Sequence, residues 1–121
     1  MTPDRFVSIV EDDESLRDAL LGLLRSMGYA ARGFACAEDF LAVQDGRCGC
    51  VITDIRMPGL SGIEMTAQLR RSGFDVPVIM ITARDDPALE QQARAGGALC
   101  ILRKPFDSEA LLDCVERALA A

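Results

Sequence analysis

Short apolar runs alternate along the chain with longer stretches in which apolar side chains return every three or four positions. The runs Phe6 to Val10, Tyr29 to Phe34, Cys50 to Thr53, Val78 to Thr82 and Leu99 to Leu102 have strand length and lean toward β-branched and aromatic residues. They are apolar on both alternating faces, so the sheet they predict is parallel and covered by helices on each side. Between the first two runs, Leu16, Leu20, Leu23, Leu24 and Met27 share a helical face and stop at Gly28, a residue suited to ending a helix. Further helices are predicted over Ala37 to Val43, Gly62 to Arg71, Pro87 to Ala95 and Ser108 to Leu119. Pro87 suits a first turn, and Asp107 or Ser108 suits a cap. The rhythm is that of five βα units, an α/β fold with a parallel sheet.

At 121 residues, half of them hydrophobic, the chain suffices for one core and is short for two, so residues 1–121 are read as a single domain. The net charge of −6 changes the list of partners: a polyanion would need a local basic patch, and nucleic acid is disfavoured for this segment. No apolar run approaches the ~20 residues of a membrane span, and Met1-Thr2-Pro3-Asp4 lacks the basic and apolar regions of a signal peptide. A cytoplasmic location away from membranes is expected. Cys36, Cys48, Cys50, Cys100 and Cys114 are odd in number and scattered, which reads as reduced thiols rather than a disulfide framework. Cys48-Gly49-Cys50 lacks Cys-x-x-Cys spacing, and no histidine exists to complete a metal site with it. A linker and a further domain would begin after the last predicted helix in a longer protein.

In an open parallel sheet, ligands bind beyond the carboxyl ends of the strands, where strand order reverses. The first strand runs into Glu11-Asp12-Asp13-Glu14, the third into Asp54, the fourth into Thr82 and the fifth into Lys104. Helix-start preference accounts for Asp13 and Glu14, since carboxylates gain ~0.3–1 kcal/mol each in a first turn. It does not account for Asp54 closing an apolar strand on the adjacent rung. If Asp12 and Asp54 approach within a few ångströms, their repulsion is about 4 kcal/mol at an effective dielectric of 20. An all-oxygen set of this kind suits Mg²⁺, which also neutralises charge on a phosphoryl group moving onto a carboxylate. Asp54 is then the candidate nucleophile.

Val10-Glu11-Asp12-Asp13-Glu14, Asp54-Ile55-Arg56-Met57-Pro58-Gly59-Leu60-Ser61-Gly62, Thr82-Ala83 and Lys104-Pro105-Phe106, in this order and at βα spacing, resemble the receiver domain of bacterial two-component response regulators. The likeness covers nearly the whole chain and is nearest to the FixJ-type branch. It implies a flavodoxin-like, CheY-like doubly wound (βα)5 fold with strand order 2-1-3-4-5. By the same resemblance Asp54 is the phosphoacceptor, Asp12 and Asp54 bind Mg²⁺ directly, Glu11 acts mainly through water, and the carbonyl of Arg56 supplies another oxygen. Thr82 and Lys104 hold the phosphoryl oxygens, and the bond before Pro105 is cis. The implied donors are a histidine kinase or phosphotransfer protein, with acetyl phosphate as a substitute. The implied readout is through the fourth helix, fifth strand and fifth helix to a DNA-binding output domain, a downstream protein or a phosphorylation-dependent dimer. Such a domain catalyses its own phosphorylation and slow hydrolysis.

Two departures from the family pattern stand out. Ile101 occupies a position, three before Lys104, that is often aromatic in the family, which puts the usual coupling between that ring and Thr82 in doubt. Arg56 and Arg84 each lie two residues beyond a site residue, where they are expected to overhang the phosphoryl group and alter its lifetime. Competing readings are a phosphorylation-independent docking module and a Mg²⁺-dependent aspartyl phosphatase of the haloacid-dehalogenase kind. The second needs another acid at the position of Arg56. Sites of the Ser-His-Asp, Cys-His or His-Glu-x-x-His types are excluded by the lack of histidine, and neither nucleotide-binding glycine motif is present.

Overall fold

The computed structural model describes residues 6–44, 46–83 and 86–120. Its elements alternate strictly: β1 (Phe6–Val10), α1 (Glu14–Ser26), β2 (Ala31–Phe34), α2 (Ala37–Ala42), β3 (Cys48–Asp54), α3 (Gly62–Arg71), β4 (Val78–Thr82), α4 (Pro87–Ala95), β5 (Cys100–Arg103) and α5 (Ser108–Ala120). All four strand pairings are parallel, in the order β2-β1-β3-β4-β5. The doubly wound order implied by the resemblance is therefore the observed one. The differences from the sequence-based boundaries are local. β2 starts at Ala31 rather than Tyr29, because Tyr29 is still turning off α1, its N–H donating to the Leu24 carbonyl at 3.0 Å. β3 begins at Cys48 and runs through Asp54, so Cys48-Gly49-Cys50 is part of a fully buried strand.

Alternation along the strands sends side chains to two separate cores. Val7, Ile9, Cys50, Ile52, Ile79 and Ile81 pack toward α1 and α5 with Leu20, Leu24, Leu111 and Val115. Val10, Val51, Val78 and Met80 pack toward the other helices with Ala37, Phe40, Met65 and Leu69. This explains why the strands read as continuous apolar runs: each face is buried under helices. The parity continues beyond the strands. Leu102 belongs to the first side and Ile101 to the second, where Leu60, Ile63 and Leu89 also pack.

The helices begin and end where local chemistry dictates. Asp13 caps α1 by accepting from the Leu16 N–H, and Gly28 follows the helix at φ 90°. Ser61 and Glu64 form a capping box at α3. Asp86 accepts from the Leu89 N–H ahead of Pro87 in the first turn of α4. All five cysteines are free thiols. Burial pushes the Cys48 thiol up, and burial together with neighbouring Cys100 pushes Cys114 up to about 12, so neither supplies a thiolate nucleophile at neutral pH. No helix among the described residues is long and apolar enough to cross a membrane.

Candidate functional site

The carboxyl ends of β1, β3, β4 and β5 converge at one rim. Asp54 is the last residue of β3, and Thr82 is the last of β4. Glu11 follows β1 directly, its N–H bonded to the Phe34 carbonyl at 3.0 Å, which continues the β1–β2 ladder by one rung. Lys104 follows β5, its N–H donating to the Thr82 carbonyl at 2.8 Å, and the Lys104–Pro105 bond is cis. The site is thus built on strand ends, whose positions are set by two buried cores rather than by loops.

Three carboxylates meet there. Glu11, Asp12 and Asp54 each present an oxygen, and these oxygens all lie within 4.8 Å of one another. Glu11 is 2% exposed and Asp54 8%, whereas Asp12 faces solvent. Lys104 Nζ lies 2.9 Å from Asp54 Oδ2 and 3.4 Å from Glu11 Oε1. The remaining Asp54 oxygen, Oδ1, accepts from the Arg56 N–H at 3.2 Å. Glu11 Oε2 accepts from the Asp13 N–H at 3.2 Å, and Arg17 Nη1 donates to the Glu11 carbonyl at 2.8 Å.

The electrostatics follow from this crowding. Burial pushes the Glu11 carboxyl above its ordinary range, the charge of Asp54 adds to the rise, and the Asp13 N–H and Lys104 oppose it. For Lys104, burial acts downward, but the hydrogen bond and charge of Asp54, followed by the charge of Glu11, outweigh it and the amine sits above its usual value. One ammonium therefore serves two acids, and a third acid beside them has a solvent-facing side. Oxygen-only donors, more than one of them anionic, with solvent access for retained waters, are the donor set of a hard divalent cation. The residues present fit Mg²⁺.

Of the residues singled out from the sequence, Glu11, Asp12, Asp54 and Lys104 come together directly. Thr82 ends the neighbouring strand with 2% exposure and carries Lys104 on its carbonyl. Arg56 adjoins through its main chain, while its guanidinium pairs with Asp86, Nη2 lying 3.7 Å from Oδ2. Arg84 lies outside the described residues. Sequence reasoning missed Asp86 and Arg17. Asp86 carried a readable signal as a cap immediately before a proline, but nothing along the chain announced its link to Arg56. Gly62 also gains a role visible only in space. A Cβ there would stand 2.5 Å from the main-chain oxygen of Asp54, so α3 starts against the back of the acidic strand end only because residue 62 has no side chain.

Residues 7–116 match the family described as the response regulator receiver domain. The chain belongs to that family. This receiver domain is 40% identical over 116 residues to the transcriptional regulatory protein TdiR of Thauera aromatica, covering 94% of this chain and 51% of that protein. It is 35% identical over 120 residues to the transcriptional regulatory protein FixJ of Bradyrhizobium diazoefficiens, covering 98% of this chain and 58% of that protein. The crystal structure of FixJ-N superposes on it with a TM-score of 0.88 at 32% identity, covering 98% and 96% of the two chains. The receiver domain thus spans about half the length of TdiR and FixJ. Its function is that of the family: a phosphoacceptor switch of two-component signalling.

Proposed function

We propose that Asp54 is the phosphoacceptor of this switch. The observation that carries the reading is the 2.9 Å contact between Lys104 Nζ and Asp54 Oδ2 beside two further carboxylates, at the end of a buried strand. Asp54 offers a carboxylate whose Oδ1 is oriented by the Arg56 N–H, which leaves Oδ2, on the Lys104 side, for attack on phosphorus. The P–O bond to the leaving group breaks as the Oδ–P bond forms. Lys104 then faces the phosphoryl oxygens instead of the bare carboxylate, and the Thr82 hydroxyl is the second donor, one strand away.

Where a divalent cation is bound, Glu11, Asp12, Asp54 and the carbonyl of Arg56 hold it, and it supplies the positive charge that offsets their repulsion and that of the phosphoryl group. The donors are a histidine kinase or phosphotransfer protein, with acyl phosphates as small substitutes. The chain contains no histidine, so a phosphohistidine donor lies on another molecule or domain. Hydrolysis of the acyl phosphate resets the switch. Moving populations from 1:99 to 99:1 requires about 5.5 kcal/mol, within reach of two or three charge-assisted hydrogen bonds formed only in the phosphorylated state. The readout surface is the fourth helix, fifth strand and fifth helix, toward a DNA-binding output domain or a downstream protein. The domain is read as one unit in the cytoplasm that does not itself bind nucleic acid.

Intact-mass measurement after incubation with acetyl phosphate and Mg²⁺ tests the assignment. A single phosphoryl adduct is expected on the wild type and none on Asp54→Ala; an undiminished adduct on Asp54→Ala refutes it. The metal assignment has a test free of turnover. MgCl₂ at about 100 times its Kd is expected to add about 2.7 kcal/mol to folding stability, read as a higher thermal midpoint. Asp12→Ala should abolish most of that shift, and an equal shift in both proteins would place the ion elsewhere.

A further inference from the structure

Arg56 is held at two points with different strengths. Its main-chain N–H donates to Asp54 Oδ1 at 3.2 Å, which fixes its backbone beside the acceptor carboxylate. Its guanidinium, in a side chain that is 61% exposed, reaches Asp86 Oδ2 at 3.7 Å. Asp86 is itself anchored: its Oδ1 accepts from the Leu89 N–H at 3.1 Å and caps α4. The ion pair therefore spans from the segment after β3 to the start of α4. An exposed cation whose backbone adjoins Asp54 is thus paired with an anchored anion.

An exposed ion pair at this distance is a weak restraint. A phosphoryl donor arriving at Asp54 brings two negative charges and oxygens that match the planar fork of a guanidinium, a stronger partner than the single Asp86 oxygen. We propose that Asp86 parks Arg56, and that the share of Arg56 paired with Asp86 rather than free to meet an incoming dianionic acyl phosphate lowers the rate at which this domain uses such donors. Asp86 is a positioning residue in this scheme, acting through Arg56 and touching no reacting atom. The scheme rests on Asp54 as the acceptor. The transfer itself is unchanged: Asp54 oxygen attacks phosphorus, the bond to acetate breaks, and acetate leaves.

The test is a double-mutant cycle on wild type, Asp86→Asn, Arg56→Ala and the double variant, reading the initial rate of adduct formation with subsaturating acetyl phosphate and Mg²⁺. Asparagine keeps the helix cap while removing the charge, so the thermal midpoint should hold; Asp86→Ser, also a cap former, repeats the measurement. Asp86→Asn is expected to speed the wild-type reaction about fivefold at low salt and far less at high salt. In the Arg56→Ala background the same change should have less than about a twofold effect. Equal acceleration in both backgrounds would reveal a general loss of negative charge and overturn the parking scheme, as would no acceleration in either. A wild type that acquires no adduct at all, or an adduct that persists on Asp54→Ala, would instead bring down the acceptor assignment and this scheme with it.

Discussion

Lys104→Ala is expected to slow phosphoryl transfer to Asp54 from acetyl phosphate by about 10²- to 10³-fold, the loss typical of removing one preorganised donor from a developing anion. The ammonium bonds to Asp54 Oδ2 and Glu11 Oε1 before any phosphoryl group arrives, so little reorganisation is needed when charge builds on the transferred oxygens. Lys104 is also the only lysine in the chain, which permits a direct measurement of its state. Reductive methylation with ¹³C-formaldehyde would label one side chain and the N-terminus. The Lys104 signal in the wild type should titrate above the ordinary lysine value, and in Asp54→Ala closer to it. The sign for stability follows: the folded amine binds its proton more tightly than the unfolded one. Its stabilisation is therefore complete below the unfolded lysine value and is lost as pH rises through the elevated folded value. Glu11 has the same sign at the acid end. Its raised carboxyl favours folding at low pH, and that contribution disappears as pH rises through the folded value. A rate loss under tenfold for Lys104→Ala would mean that the ammonium orients Asp54 without stabilising the transfer.

Gly62→Ala is the second large effect and acts through the backbone. The added methyl would lie 2.5 Å from the Asp54 carbonyl oxygen, 3.1 Å from Thr53 Cγ2 and 3.2 Å from the Ile55 Cα, none of which is the free end of a flexible side chain. The Gly62 N–H also donates to the Ile55 carbonyl at 2.8 Å, and its own carbonyl accepts from the buried Thr66 hydroxyl at 2.8 Å, so the segment has no slack. Overpacking of this kind costs about 3 kcal/mol, or roughly 10 °C in thermal midpoint for a domain of this size. Any relief must shift the Asp54 main chain, so adduct formation should fall as well. Gly22→Ala is the matched control: it lies within α1 with open space around it and should stabilise by about 0.5–1 kcal/mol. Differential scanning calorimetry of the two variants decides the point. Equal midpoints for both would show that the start of α3 moves freely relative to β3.

Ile101 stands where the family often has an aromatic ring. It sits half-buried on β5, paired in register with Met80 and packed on the α2–α4 side of the sheet. Two residues on, Arg103 makes a two-pronged ion pair with Glu90 of α4, Nη2 lying 3.0 Å from Oε2. Here α4 and β5 are joined by charge at one position and by aliphatic packing at another, with no aromatic ring at 101 to rotate.

The order of elements was readable because burial on both faces leaves its mark on every strand, and because Asp13, Pro87 and Gly28 suit helix ends through local hydrogen bonding and backbone preference. The start of β2 was not, since Tyr29 has strand propensity but is held by a hydrogen bond to Leu24 that depends on how α1 stops. Asp54, Thr82 and Lys104 were legible as candidates because each ends or follows an apolar run, a place where a polar residue is exposed to a ligand rather than to the core. The partner of Arg56 was not legible, because an ion pair between Arg56 and Asp86 has no periodicity and depends on where two separate strand ends bring the chain.

Composition and spacing alone determined that five strands would be parallel, that their carboxyl ends would carry acids, a hydroxyl and a lysine, and that any phosphohistidine donor would be foreign to the chain. Only the tertiary structure decided which of those groups touch: which oxygen of Asp54 faces Lys104, that Asp86 holds the guanidinium of Arg56, and that position 62 admits no side chain. The physical reason is range. Burial and helix-cap preferences act within a few residues of the chain, whereas Coulombic pairing and steric exclusion act across a few ångströms of space, and only the folded sheet converts one distance into the other.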